Sequence, residues 1–176
     1  MRNVQTLTLS LLALTAFSCQ SASTYEVVSV DPEVRAPIFE AVAALEGRWT
    51  GEAPDGTDGV TEFSVTSGGS VIRETMNPGT DFEMTNMYAL DGNGLVMTHY
   101  CAAGNQPHMR ATAMEAGSIV FEPIGVSDLK ATDEYYMGGM TLEMKGPDHI
   151  IQHWTGYVAG EAQEDGVMSI EMKRVR

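Results

Sequence analysis

One short stretch of the chain, THYCAAGNQPHMR at residues 98–110, collects side chains that can carry out chemistry. It contains His99, Cys101, His108 and Arg110, and it holds one of the two cysteines of the chain. Thiolate and imidazole groups are the usual protein ligands of zinc. A cysteine near a histidine is also the arrangement of a nucleophile and its general base. The same polar groups can instead orient a small ligand beside apolar side chains.

Turn-forming residues predict that this stretch is a β-hairpin. Residues 95–102 and 106–114 are rich in strand-forming types, and Gly104 and Asn105 between them are typical of a tight turn. Alternate residues of a strand share a face, so the length of the loop decides which side chains meet. We expect Asn105 and Gln106 to bond backbone groups at the tip of the hairpin.

A two-residue loop would place four of the chemically active side chains on one face. Cys101 would lie opposite His108, and His99 opposite Arg110. A shift of one residue would move His108 and Arg110 to the other face. In the two-residue register, we expect His99, Cys101 and Arg110 in mutual contact, with the thiol buried away from an oxidising compartment. Arg110 then needs a carboxylate on another strand, for which the candidates are Glu74, Glu83 and Glu122.

The ligand-binding interpretation assigns the following six residues to a site: His99, Tyr100, Cys101, Gln106, His108 and Arg110. In the competing interpretation, Cys101 is a small buried hydrophobic residue and the others form a hydrogen-bonded corner that stiffens the hairpin. Covalent catalysis is disfavoured because strand neighbours at i and i+2 are about 7 Å apart, too far for proton transfer. The chain also lacks phosphate-loop, HExxH, GxSxG and paired-cysteine motifs. No catalytic residue and no metal ligand is therefore assigned, and binding is expected rather than catalysis.

The charge of the chain limits its partners. Its 24 acidic and 10 basic residues give a formal net charge of −14. Such a charge repels nucleic acids and anionic lipid surfaces, so we expect no nucleic-acid partner. It also favours a soluble, monomeric body.

The first residues predict export and lipid attachment. Residues 1–18 have a basic start and a short apolar run, which is too short to span a bilayer comfortably and is typical of a signal peptide. The segment AFSC, ending at Cys19, resembles a bacterial lipobox, whose cysteine is acylated. Residues 19–35 then read as the lipidated cysteine and a polar tether. The residue after Cys19 is Gln20 rather than Asp, so the resemblance implies the outer membrane rather than the inner one. An ordinary secretory signal, cut after Ala22, is the alternative.

Residues 36–176 predict one all-β domain with a short N-terminal helix. The segment PIFEAVAALEG starts at Pro37 and has a helical apolar period that ends at Gly47. After Trp49, short runs of strand-forming residues alternate with turn signals often enough to bound about ten strands. An up-and-down antiparallel barrel that closes the first strand onto the last leaves no free edge, so it is preferred over a sandwich.

The segment LEGRW at residues 45–49 resembles the G-x-W opening of the lipocalin-like (calycin) barrels. The resemblance implies that Trp49 plugs one end of the barrel. It also implies that an arginine of the last strand, Arg174 or as second choice Arg176, packs over the indole ring. It further implies a cavity for a small, mostly apolar ligand.

The layout also resembles that of nitrobindin-like barrels and of uncharacterised bacterial barrel domains. The nitrobindin resemblance implies haem as an alternative cofactor, with His153 as its axial ligand. A structural envelope protein, whose barrel is filled by its own side chains, is the third possibility that the sequence leaves open.

Overall fold

The computed structural model describes residues 37–52, residue 56 and residues 58–176. The predicted signal peptide, Cys19 and the tether lie outside the described residues. No helix in the described part of the chain is long and apolar enough to cross a membrane.

The described part of the chain contains one short helix followed by eleven strands. Helix α1 spans Pro37–Ala43, and a 3₁₀ turn spans Ser67–Gly69. The first six strands are β1 (Gly47–Glu52), β2 (Asp58–Thr66), β3 (Val71–Met76), β4 (Met84–Asp91), β5 (Gly94–Tyr100) and β6 (Gln106–Ala111). The other five are β7 (Met114–Glu115), β8 (Ser118–Ser127), β9 (Tyr136–Gly146), β10 (His149–Val158) and β11 (Glu161–Arg174).

The strands form a closed antiparallel barrel. From β1 to β6 and from β7 to β11 each strand pairs with the next one in sequence, β6 pairs with β8, and β1 pairs with β11, as the sequence predicted for the first and last strands. The two-residue strand β7 continues the hairpin that β6 makes with β8, so the barrel counts ten strands. The prediction of an all-β, up-and-down barrel of about ten strands with one short helix is therefore confirmed.

Alternation of side chains along the strands divides the interior from the outer face. On β5, Leu95, Met97 and His99 are buried, whereas Val96 and Thr98 between them are half-buried. The same period of two recurs on β10, where Ile150 is one of the buried residues. The apolar core consists mainly of the inward residues of the strands and one face of α1.

The end of the barrel next to α1 is closed around Trp49. The indole ring is fully buried, and the guanidinium of Arg174 lies 4.3 Å from the ring centroid. Trp49 and Arg174 are also direct partners in the β1–β11 pairing, so the sheet register brings the two side chains together. The predicted contact is present, and it is made by Arg174 rather than Arg176, which bonds Asp148 instead.

Arg174 also satisfies backbone groups at the end of α1. Its guanidinium donates to the carbonyl oxygens of Ala44 at 2.9 Å and Glu46 at 2.6 Å. The indole N–H of Trp49 donates to the carbonyl of Leu45 at 2.8 Å. These three residues follow the end of α1 at Ala43, so their carbonyl oxygens have no partner within the helix. One arginine and one tryptophan therefore join the helix, the first strand and the last strand.

We expect Trp49→Ala to lower the free energy of unfolding by about 3–5 kcal/mol, because it removes buried ring area and the stacking surface of Arg174. Urea denaturation measures this loss. Phe82→Ala is the control, since that ring is 71% exposed and its removal should change stability by less than about 0.5 kcal/mol. Equal losses in the two variants would show that Trp49 does not close the barrel.

Candidate functional site

The hairpin of residues 98–110 has a different register from the predicted one. Thr98 lies opposite His108, and Val96 lies opposite Arg110. The loop between the strands has five residues, 101–105, rather than two. It is closed by a bond from the N–H of Cys101 to the carbonyl of Asn105, at 3.2 Å. The pairing is thus displaced by three residues, and an odd displacement moves His108 and Arg110 to the opposite face.

The predicted contact of His99, Cys101 and Arg110 is therefore wrong. His99 points into the barrel, whereas His108 and Arg110 lie on the outer side of the wall. Arg110 forms an ion pair with Asp91 and donates to its carbonyl oxygen at 2.9 Å. The ion-pair partner of Arg110 is therefore Asp91 rather than Glu74, Glu83 or Glu122.

The rest of the hairpin lies near the surface. Cys101 is half-buried rather than buried, and Tyr100 is exposed. Gln106 donates to the carbonyl of Gly104 at 2.9 Å, as predicted, but the amide of Asn105 donates to the Glu134 side chain instead of a backbone group. The structure thus places His99 inside the barrel and the other five candidates on its outer face or in the surface loop. Their role in ligand binding stays a prediction.

His153 is on the outer face of β10. Its Nδ1 lies 2.7 Å from the hydroxyl of Ser169, and its Nε2 lies 3.7 Å from Glu143. The neighbouring Gln152 and Trp154 are the residues that point inward. The side chains present therefore do not fit a haem held inside the barrel by His153. Among the described residues, no group of three His, Cys, Asp or Glu side chains is arranged to hold a metal ion.

The barrel interior contains a buried carboxyl group with three hydrogen-bond donors. Glu74, on β3, accepts from the amide of Asn86 at 2.7 Å and from the hydroxyl of Tyr88 at 2.5 Å. Its other oxygen accepts from the amide of Gln152 at 2.6 Å. All four side chains are fully buried. The carboxyl group thus links β3 and β4 to β10 on another part of the wall.

His99 and Trp154 complete this interior cluster. Nδ1 of His99 lies 2.7 Å from Oδ1 of Asn86, and the indole N–H of Trp154 donates to Gln152 at 3.2 Å. The His99 and Trp154 rings meet at a centroid distance of 4.9 Å. Because the Asn86 amide nitrogen donates to Glu74, its oxygen is the acceptor. The hydrogen-bond network therefore assigns the proton of neutral His99 to Nδ1.

Burial determines the protonation behaviour of the cluster. It raises the pKa of Glu74, against the opposing effect of three hydrogen bonds to the carboxylate. Burial and the nearby charge of Glu74 raise the pKa of Tyr88 well above its usual value. Burial also lowers the pKa of His99 to about 4, so this imidazole is neutral at physiological pH.

The protein's own side chains fill the space around this cluster. Tyr88, Met97 and Met109 have no accessible surface, and Phe121 and Trp154 have about 1%. Side chains that lined a hollow large enough for water would show accessible surface toward it. The interior cavity implied by the lipocalin-like resemblance is therefore not present around these residues.

A cleft of about 620 Å³ lies instead outside the barrel, against β6, β7 and β8. We call it the wall cleft, and the residues that line it are Arg110, Thr112, Ala113, Glu115, Ala116, Ser118, Val120, Glu122, Pro123 and Ile124. A second cleft, at Arg48 and Arg73, has only about 260 Å³. Arg110 is thus the one residue of the six candidates that lines the wall cleft.

The interior cluster was not predicted from the sequence, although the alternation of side chains along β3 and β10 contains a signal for it. Ile72, Glu74 and Met76 occupy one face of β3, so the acidic residue sits between two core positions. Gln152 is likewise placed between Ile150 and Trp154 on β10. A polar residue at an inward position needs a buried partner, and this requirement identifies members of the cluster but not their pairing.

Comparison with known proteins supports the fold alone. No protein-family model and no curated protein matches this chain. Among solved structures, it is similar to a protein of unknown function of the DUF3598 family from Nostoc punctiforme PCC 73102, with a TM-score of 0.51 and 13% sequence identity. The match covers 76% of this chain and 49% of the Nostoc chain, so this chain spans about half the length of its structural neighbour.

The low pKa of His99 predicts a specific pH dependence of stability. Its folded pKa of about 4 lies below the unfolded value of about 6.5. As the pH falls between these values, the unfolded chain takes up a proton that the folded protein does not. The free energy of unfolding should therefore fall by about 3 kcal/mol from this residue. Urea denaturation across the window, compared with His99→Gln, separates this effect from the titration of carboxyl groups. An equal fall in both proteins would contradict the assignment.

Proposed function

We propose that this protein is a non-enzymatic binding module that takes a small, mostly apolar molecule in the wall cleft. The observation that carries the proposal is the cleft itself, whose volume of about 620 Å³ lies within the usual range for small-molecule sites. Val120 and Ile124 expose 52% and 59% of their surface there. Exposed apolar side chains grouped in a concavity favour an apolar ligand.

Arg110 supplies a fixed polar group at the edge of this apolar surface. The ion pair with Asp91 holds the guanidinium in place, and Gly94 makes room for it. A Cβ atom at Gly94 would lie 2.9 Å from a guanidinium nitrogen of Arg110 and 2.7 Å from the carbonyl oxygen of Ala111. A placed donor beside an apolar floor is the usual means of orienting a small ligand.

The packed interior favours a second candidate function, that of a structural envelope protein with a self-filled barrel. The two candidates differ at the wall cleft, because only the binding module needs it. In both, the net charge of −14 supports a monomer without a nucleic-acid partner.

Binding of the neutral fluorescent probe N-phenyl-1-naphthylamine tests the binding function. Val120→Asp should weaken binding at least about tenfold, because it places a charge on the apolar floor. Val167→Asp is the matched control, since Val167 is 56% exposed on β11 and does not line the cleft. If the wild-type protein does not bind the probe, or if both substitutions weaken binding equally, the binding function is refuted and the structural function remains.

We further propose that the protein is exported and anchored at the outer membrane through an acylated Cys19. Cys19→Ala should abolish metabolic labelling with a fatty acid and release the protein into the soluble exported fraction. Cys101→Ala is the control and should keep the label, because that cysteine belongs to the barrel domain. Labelling that persists in Cys19→Ala would refute lipid attachment at this position.

A further inference from the structure

Strand β8 is paired on both sides over only part of its length. Its first residues, 118–121, pair with β9. Residues 122–127, apart from the bulged Ile124, pair with β6 alone, and the facing residues of β9, 136–139, pair only with β10. The wall of the barrel therefore has an open strand edge at residues 122–127, which we call the open edge.

The side chains of the open edge are exposed on both faces of the strand. Residues 122–125 and Ser127 are exposed, and Val126 is half-buried. In the first part of β8, by contrast, buried Ile119 and Phe121 alternate with Ser118 and Val120. The strand thus leaves the core after Phe121 while keeping its pairing with β6.

The backbone N–H and C=O groups of Val126, in the open edge, point away from β6. Val126 pairs with Pro107, which has no N–H, so these two residues cannot be a hydrogen-bonded pair. In an antiparallel ladder, hydrogen-bonded and non-hydrogen-bonded pairs alternate. The N–H and C=O of Val126 therefore face the side on which no described strand is paired.

We propose that the open edge binds an extended peptide segment of a partner protein by β-strand addition. Unpaired N–H and C=O groups are what such a peptide pairs with, and the alternating side chains of the strand provide selectivity. The proposal does not depend on small-molecule binding in the wall cleft, because it rests on the backbone of residues 122–127 rather than on the cleft floor.

Charge indicates the chemistry of the peptide. Glu122 stands at one end of the open edge and Asp128 just beyond the other, and residues 122–128 contain no Lys or Arg. Ile124 and Val126 lie between these carboxylates. The fitting peptide has apolar residues in its middle and basic residues at its ends. Pairing with a second copy is disfavoured, since each chain carries a net charge of −14.

The open edge is also short, which suits selective pairing. Pro123 cannot donate a hydrogen bond, and β8 has a bulge at the next residue, Ile124, because His108 and Met109 pair with Gly125 and Pro123. The strand ends at Ser127, and the next residue, Asp128, has a φ of 62°, which turns the chain away from the strand direction. Proline, bulges and short length limit non-specific pairing of strand edges.

Fluorescence anisotropy with a labelled synthetic peptide tests the proposal. The probe is Lys-Val-Thr-Ile-Thr-Val-Lys with blocked ends, and the same peptide with Glu in place of both Lys is its charge control. The basic peptide should bind at least about tenfold more tightly than the acidic one, and more weakly at high salt. Absence of binding by the basic peptide up to about 1 mM, or equal binding of both peptides, would overturn the proposal.

A pair of substitutions at Val126 locates the binding. Val126→Pro removes the outward N–H without disturbing a hydrogen bond to β6. Val126→Ala keeps this N–H, and like the proline variant it removes the valine side chain. The first should weaken peptide binding at least about tenfold and the second less than about threefold, with circular dichroism confirming that both are folded. Equal binding by the two variants would place the peptide elsewhere. If the wild-type protein sediments as a dimer and Val126→Pro dissociates this dimer, a second copy of the chain fills the open edge. That result also overturns the proposal.

Discussion

The buried carboxyl group of Glu74 is the constraint on which the interior of this barrel depends. A carboxyl group can be buried only if its oxygens are hydrogen-bonded, and each buried donor left without an acceptor costs about 1–3 kcal/mol. Here Asn86, Tyr88 and Gln152 supply three donors. Because β3 and β10 are not neighbours in the wall, this cluster holds opposite parts of the barrel at one separation. The same requirement opposes any shift in strand register, since a shift would leave the three donors unpaired.

Closure of the barrel rests on a different interaction at the end next to α1. There, Arg174 covers Trp49 and bonds the carbonyl oxygen just after the helix, so a half-buried cationic group and a buried ring join three elements. With this end closed and the interior filled, the barrel has no room for a ligand around the cluster. The proposed binding therefore lies on the wall, where the hairpin of β6 and β8 carries both the wall cleft and the open edge.

The candidate site could be predicted from the sequence only in part. The alternation of β5 placed His99 with the inward apolar residues, and it did so without knowledge of the partner strand. Its partner, Asn86, could not be inferred, because the choice depends on which strands meet inside the barrel. The contact between Glu74 and Gln152 joins residues 78 positions apart in sequence. A local pattern shows that such residues need partners, but it does not contain the pairing.

The sequence by itself determined the all-β class and the short helix, which follow from turn spacing, from the helical apolar period and from the period of two. Its resemblance to the lipocalin-like barrels implied that Trp49 meets an arginine of the last strand, and the structure shows that this arginine is Arg174. Only the tertiary structure decided the hairpin register at Gly104, the filling of the interior, and the departure of β8 from β9. The physical reason is that side-chain direction alternates along a strand. A loop whose length differs by an odd number of residues reverses the face, and the packing of the whole barrel selects that length.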